Sequence, residues 1–413
     1  MTDSETSPAP MYSHEFHVNP FPTYAQMRAA GPVHRIRDPN SVDQWFVVRY
    51  EEARAALSDS RLSRDPRFAS EALRKSGIYE KSAEEESEAN MLNMDPPDHT
   101  RLRKIVARAF TPRRIEQLRP WVQRITDELL DTVASCTRFD LIEALATPLP
   151  VTVACALLGV PVTDSPYLQE LSTALLTPAY AQKATMPSYE AGRRLLAYFA
   201  DLVPVKMKDV IPGAGINDQP DLMCALIEAA VGQQRLNEKE LIATAMLLLV
   251  GGFETTAGLI GIGTYTLLRE PGQLALLRAR PELFPSAIDE FIRYDGPAER
   301  SMIRVATQDI ELGGVTIPKG GIVTVALSAT SRDPAHFTDP DRLDVTRSDR
   351  SHLGFGHGVH FCIGAPLARL EGEIAIRTLF TRFPGIALDC APDQLPWREI
   401  GVMRGLERLP LRR

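Results

Sequence analysis

Residues 241–268 form a run of twenty-eight with a single charged side chain, Glu254. Wholly helical, such a run is roughly 42 Å long, enough to cross a bilayer or to serve as the axis of a large core. Local signals favour the core. Asn237 and Glu240 stand at capping-box spacing, with Leu236 and Leu241 placed as the accompanying hydrophobic staple. The centre of the run, Gly251-Gly252-Phe253-Glu254-Thr255-Thr256, suits neither lipid nor an unbroken helix, because glycine weakens helix interiors and a carboxylate in hydrocarbon is costly. The expectation is a buried core helix with a functional break at its middle.

Composition supports a folded core rather than disorder: 44% of residues are hydrophobic and 24% charged. A net charge of −7 gives no general attraction to phosphate, so nucleic acid is not an expected partner. Residues 1–10 lack a basic segment followed by an apolar one, so no signal peptide is expected. The five cysteines, Cys136, Cys155, Cys224, Cys362 and Cys390, are scattered and form no CxxC pair, which argues against a disulfide framework or structural zinc and for a reducing, cytoplasmic setting. Neither a repeat nor a Gly/Ser linker divides the chain. The expected organisation is a flexible segment over 1–15 and a single domain over 16–413.

Amphipathic runs at 114–134 and 221–231 and frequent Pro and Gly punctuation predict a mainly α fold with a small β region. Strands are expected at 45–48, in a hairpin over 309–317 that turns at Gly313-Gly314, and at 322–327.

The densest local pattern is Phe355-Gly356-His357-Gly358-Val359-His360-Phe361-Cys362-Ile363-Gly364-Ala365-Pro366-Leu367-Ala368-Arg369-Leu370-Glu371. Glycines on both sides of Cys362 let the backbone approach a bulky planar object, and the apolar periodicity from Leu367 to Phe380 marks a helix just beyond. Cys362 therefore stands at a helix N-terminus, where amide groups and the helix dipole favour thiolate over thiol. Taken alone, a cysteine there is more often a small buried hydrophobe. With two histidines close by, a metal site or a Cys/His nucleophile is also open, although zinc spacing and a third catalytic partner are missing.

The whole segment resembles the haem-binding signature of the cytochrome P450 family, with Phe355, Gly358, His360, Cys362 and Gly364 at the specified positions. The resemblance runs from about Asn19 to Leu409. It implies a P450 fold in one large domain, with haem b held by the Cys362 thiolate between the long central helix and the helix that follows Cys362. Glu290-Phe291-Ile292-Arg293, followed by the segment Phe337 to Arg342, looks like the family's structural motif and implies a buried network of Glu290, Arg293 and Arg342. Asp95 to Arg103 looks like the helix beside haem, so His99, Arg103, Arg304 and His360 are implied partners of the propionates. Phe355 and Gly364 complete the implied cofactor contacts.

By the same resemblance, Thr255 is the hydroxyl that hydrogen-bonds dioxygen over the iron and Glu254 the acid that supplies protons, while Gly251 and Gly252 leave room for oxygen and water. A thiolate pushes electron density onto haem iron and favours O–O cleavage. The implied activity is that of a monooxygenase inserting one oxygen atom from O2 into an apolar small molecule, by hydroxylation or epoxidation. Pocket positions implied by the family are Met91, Leu92, Leu247, Leu248, Ala298, Glu299 and Val402, most of them apolar. Similarity to actinobacterial antibiotic-pathway hydroxylases implies a secondary metabolite such as a polyketide, macrolide or terpenoid.

The implied electron donor is a ferredoxin or flavodoxin with an NAD(P)H reductase, docking on Arg101, Lys104, Arg108, Arg113 and Arg114 or leaving them as a solvated face; the implied protein is a soluble monomer without a membrane anchor. The acidic stretch 80–88 falls where the family places a substrate-access lid. Two other readings are a peroxide-driven peroxygenase, against which Glu254 and Thr255 argue, and a haem-thiolate sensor, which has little need of an acid and alcohol pair.

Overall fold

The apolar run lies inside one helix, Glu238–Arg269, closed at its start by a reciprocal cap: the Glu240 amide donates to the Asn237 side chain at 2.9 Å and the Asn237 amide to the Glu240 carboxylate at 3.0 Å. The expected break is absent. The helix continues through Gly251 and Gly252, and the hydroxyls of Thr255 and Thr256 donate back to the carbonyls of those two glycines, each at 3.2 Å. Tertiary packing along the helix outweighs the glycine cost of about 1 kcal/mol each.

This computed structural model describes residues 11, 13–38, 42–70, 89–177, 185–232, 235–399 and 401–413. Of the segment expected to be flexible, residues 1–10 and 12 lie outside that set, and Ser13 caps the short helix His14–Val18. The acidic stretch 80–88 also lies outside it.

The helices around the site are α1 (Asp98–Ala107), α2 (Arg119–Thr132), α3 (Pro148–Leu157), α4 (Ser165–Leu176), α5 (Ser188–Lys206), α6 (Glu238–Arg269), α7 (Phe284–Asp295) and α8 (Ala365–Arg382). Helix α6 is packed by α3, α5, α7 and α8. Among the described residues it alone is long and apolar enough to cross a membrane, and 67% of its most apolar window is buried against protein. Its surface is thus taken by neighbouring helices, as the capping signals predict.

The expected helix over 114–134 is divided at Leu118 into Pro112–Gln117 and α2, because Pro120 has no amide to donate backward and instead serves the first turn of a new helix. The run 221–231 starts a helix, Leu222–Ile227, capped by the Asp221 carboxylate, and then widens into a π-type turn.

Among the described residues, ten strands form three small sheets: β1 (Val33–Arg37), β2 (Asp43–Val47), β3 (Leu62–Ser63), β4 (Arg138–Asp140), β5 (Arg304–Ala306), β6 (Ile310–Leu312), β7 (Val315–Ile317), β8 (Ile322–Val325), β9 (Ala387–Leu388) and β10 (Pro410–Arg412). The largest has the order β1-β2-β8-β5-β3, with β2 and β8 parallel and its other pairs antiparallel. It places Arg304 between β3 and β8. The predicted hairpin is β6–β7, with Gly313 and Gly314 both left-handed at φ 58° and 77°.

The buried network centred on α7 differs from expectation in one member. Arg293 donates to both oxygens of Glu290, at 2.7 and 2.8 Å, and to the carbonyls of Ser331, Pro340 and Arg342. The third side chain is Arg347, whose Nε reaches Glu290 at 3.1 Å; Arg342 contributes only its carbonyl and is itself exposed. Removing one partner of a buried pair strands the other charge. Arg293→Met is therefore expected to cost about 3–5 kcal/mol in denaturant unfolding, Arg347→Met about 1.5–3 kcal/mol, and Arg342→Met no more than about 0.5 kcal/mol.

Candidate active site

Cys362 leads into α8 on a loop held by its own backbone. Its amide donates to the Phe355 carbonyl at 2.9 Å, and the Gly356 amide to the Leu353 carbonyl at 2.7 Å. Gly358 is left-handed at φ 73°, and a β-carbon there would lie 2.9 Å from the Leu57 carbonyl oxygen. The loop therefore seats against the helix Tyr50–Ser58 only with glycine at that position. Protein around the sulfur pushes the Cys362 thiol up, against the pull of the Gly364 and Ala365 amides and of the Arg103 and Arg369 charges. A cation bound at the sulfur would reverse that balance.

Beside the loop lies a group of basic side chains short of hydrogen-bond partners. The His99 and His360 rings are 4.4 Å apart between centroids. Both ring nitrogens of His99, Nε2 of His360 and Nε of Arg304 are buried without a hydrogen-bond partner. Arg103 donates to the Phe361 carbonyl at 2.5 Å and Arg304 to the Leu62 carbonyl at 3.2 Å. Burial, aggravated by Arg64, lowers Arg304 to about 10; burial and the surrounding Arg304, His99, Arg64 and Arg103 lower His360 to about 2. Unpartnered buried nitrogens beside the Arg103 and Arg304 guanidiniums fit an anionic ligand, whose carboxylates would supply partners.

On α6, Glu254 and Thr255 point to different partners. The Glu254 carboxylate is salt-bridged to Arg398 at 2.5 Å and accepts from the Thr173 hydroxyl on α4, beside a small cavity lined also by Ala257, Gly258 and Met403. The Thr255 hydroxyl bonds back to Gly251 instead. A β-carbon on Gly251 would meet nothing within 4 Å, whereas one on Gly252 would touch Ala154 of α3 at 3.6 Å. Gly251 thus borders open space and Gly252 serves helix packing.

Among the pocket candidates, Met91 is buried and packs with Leu102 and Met246, and Leu247 and Leu248 border the same apolar cluster. Glu299 is fully buried with the Tyr24 hydroxyl and Arg300, which makes it part of a polar core. Of the basic candidates, Lys104, Arg108 and Arg113 are exposed. Arg101 is tied to Glu240 and Asp98, and Arg114 to Asn217.

The Cytochrome P450 family profile matches residues 197–403. The cytochrome P450 monooxygenase PikC of Streptomyces venezuelae is 43% identical, over 96% of this chain and 92% of its own. The 6-deoxyerythronolide B hydroxylase of Saccharopolyspora erythraea is 41% identical, over 97% of each. A crystal structure of a myxobacterial cytochrome P450 with myristic acid superposes with a TM-score of 0.90 at 40% identity, covering 97% of this chain and 98% of that one.

The chain belongs to the cytochrome P450 family. It is a P450 monooxygenase, an oxidoreductase whose iron protoporphyrin IX has a cysteine thiolate as axial ligand and which takes O2, electrons from a redox partner and a small-molecule substrate. The residues present fit that cofactor, because the unpartnered nitrogens and the Arg103 guanidinium adjoin the cysteine loop at His360 and Phe361.

Two partners of Glu254 were not legible in the sequence. Arg398 and Thr173 lie 144 and 81 positions from Glu254. The one available signal was the cost of an unpaired carboxylate inside α6, which calls for a cation without saying where it comes from. Gly358→Ala is expected to destabilise the protein by about 1–3 kcal/mol, measured by denaturant unfolding. Gly385→Ala, whose β-carbon would meet nothing within 4 Å, is expected to have little effect.

Proposed function

We propose that Cys362 is the axial thiolate, that His99, Arg103, Arg304 and His360 hold the two propionates, and that Phe355, Gly364 and Gly251 border the macrocycle. The observation that carries this reading is the buried set of unpartnered imidazole and guanidinium nitrogens beside the cysteine loop. When bound, the haem supplies the activation of dioxygen. In the haem-loaded protein the Thr255 hydroxyl would leave the Gly251 carbonyl to hydrogen-bond dioxygen, and Gly251, having no side chain, would leave the space it needs. Glu254 moves the proton. To do so it exchanges its pairing with Arg398 and Thr173 for the Thr255 side of α6.

The substrate we propose is an apolar secondary metabolite of the polyketide, macrolide or terpenoid kind, hydroxylated or epoxidised. Support comes from the apolar residues Met91, Leu247 and Leu248 and from the likeness to a 6-deoxyerythronolide B hydroxylase and to a structure that binds myristic acid. We propose further a soluble, cytoplasmic monomer that takes electrons from a ferredoxin or flavodoxin served by an NAD(P)H reductase. The exposed Lys104, Arg108 and Arg113 would meet the acidic donor.

A panel of apolar polyketides, macrolides and terpenoids tests the substrate class through the shift of the haem from low to high spin as substrate displaces water. A shift confined to polar compounds would refute the assignment. With a shifting substrate in hand, Thr255→Ala is expected to keep consuming electrons while product per electron pair falls about tenfold or more. Full coupling in that variant would remove Thr255 from the mechanism.

A further inference from the structure

The two adjacent carboxylates of α7 serve different parts of the molecule. Glu290 secures the segment through Arg347, while Asp289 turns toward the cysteine loop and meets two residues there. His352 Nε2 lies 3.2 Å from Asp289 Oδ1, and Arg369 Nε on α8 donates to the same oxygen at 2.8 Å. All three segments that meet at the loop are joined at this one carboxylate: the helix behind it, the strand of chain entering it and the helix leaving it.

The tautomer of His352 follows from its partners. The Gly354 amide, a donor, lies 3.2 Å from His352 Nδ1, so Nδ1 accepts and Nε2 carries the hydrogen given to Asp289. Both His352 and Asp289 are 6% exposed. Burial pushes the Asp289 carboxyl up, but the His352 hydrogen bond and the Arg369 charge more than offset it and hold the carboxyl below its usual range.

What this arrangement grips is Phe355. The Arg369 guanidinium lies 4.5 Å over the Phe355 ring, and the His352 ring is 5.9 Å away on a tilted approach. Gly354 lies so close to α7 that a β-carbon would stand 2.4 Å from a methyl of Ile292. With its neighbour pressed on α7 and its ring covered by Arg369, Phe355 presents its carbonyl to the Cys362 amide in a fixed direction.

We propose that His352 is a positioning residue for the axial thiolate, acting through Asp289 and Arg369 on Phe355 and through the Phe355 carbonyl on Cys362. The inference rests on the reading of Cys362 as axial ligand and adds to it the device that keeps the sulfur in place. A buried imidazole with both nitrogens committed holds the loop in one geometry.

The test uses the haem-loaded protein. The reduced carbon monoxide complex of wild type, His352→Leu and Asp289→Asn is followed under mild heating below the unfolding transition, with circular dichroism recording the folded fraction. In both variants the red-shifted thiolate band is expected to give way to the band of a neutral ligand several-fold faster than in wild type at equal folded fraction. Asp289→Asn keeps the side-chain volume and so reports even where His352→Leu accumulates poorly. Loss of the band at the wild-type rate in the folded variants would overturn the role of His352. Absence of the band from folded wild type would overturn the Cys362 assignment itself, a result distinguishable from the first.

Discussion

Charge taken out of water is costly unless something offsets it, and the site is arranged by how each buried charge is offset. Glu290 is matched on every side by Arg293 and Arg347, with backbone carbonyls taking up the remaining guanidinium hydrogens. Asp289 is matched by His352 and Arg369. Glu254 is matched by Arg398 and Thr173 within the run 241–268 of α6, where it is the one charged side chain. The group around His99, Arg304 and His360 instead keeps buried ring and guanidinium nitrogens without a hydrogen-bond partner, and that group adjoins the cysteine loop. The matched charges hold the frame, and the unpartnered group beside the cysteine loop fits an anionic cofactor.

These pairings divide labour along α7 and α8. Consecutive carboxylates on α7 project to different sides, one to the loop ending at Arg347 and the other to the loop ending at Cys362. Helix α8 carries Arg369 back to the same point, so the cysteine loop is gripped at both ends by one buried carboxylate. Helix α6 packs across α7 and α8, and its glycine and threonine pairs fall where the surrounding helices leave open space on one side and Ala154 on the other.

What the sequence disclosed followed from how far apart the cooperating residues are. The cysteine loop is contiguous, so its glycines, aromatics and histidine were readable as a pattern, and the capping box and the Gly313-Gly314 turn were readable because both are local. Arg347 was not: it lies five positions beyond the recognised segment Phe337 to Arg342, which gives Arg293 backbone carbonyls while the Arg342 side chain faces outward. The expected break in α6 failed because glycine propensity is weak beside the packing of four helices. Arg398 and Thr173 were hidden by sequence distance, and Arg101 counted as a docking cation only until Glu240 was seen beside it.

The central claim is that Cys362 ligates the haem iron as thiolate. The most direct measurement is the Soret position of the reduced carbon monoxide complex in wild type and in Cys362→His, each checked for folding and for bound haem. The account predicts a strongly red-shifted band in wild type and its replacement in the histidine variant by a band at the position of imidazole-ligated haem. A wild-type band without the red shift, or a variant that keeps it, would contradict the claim.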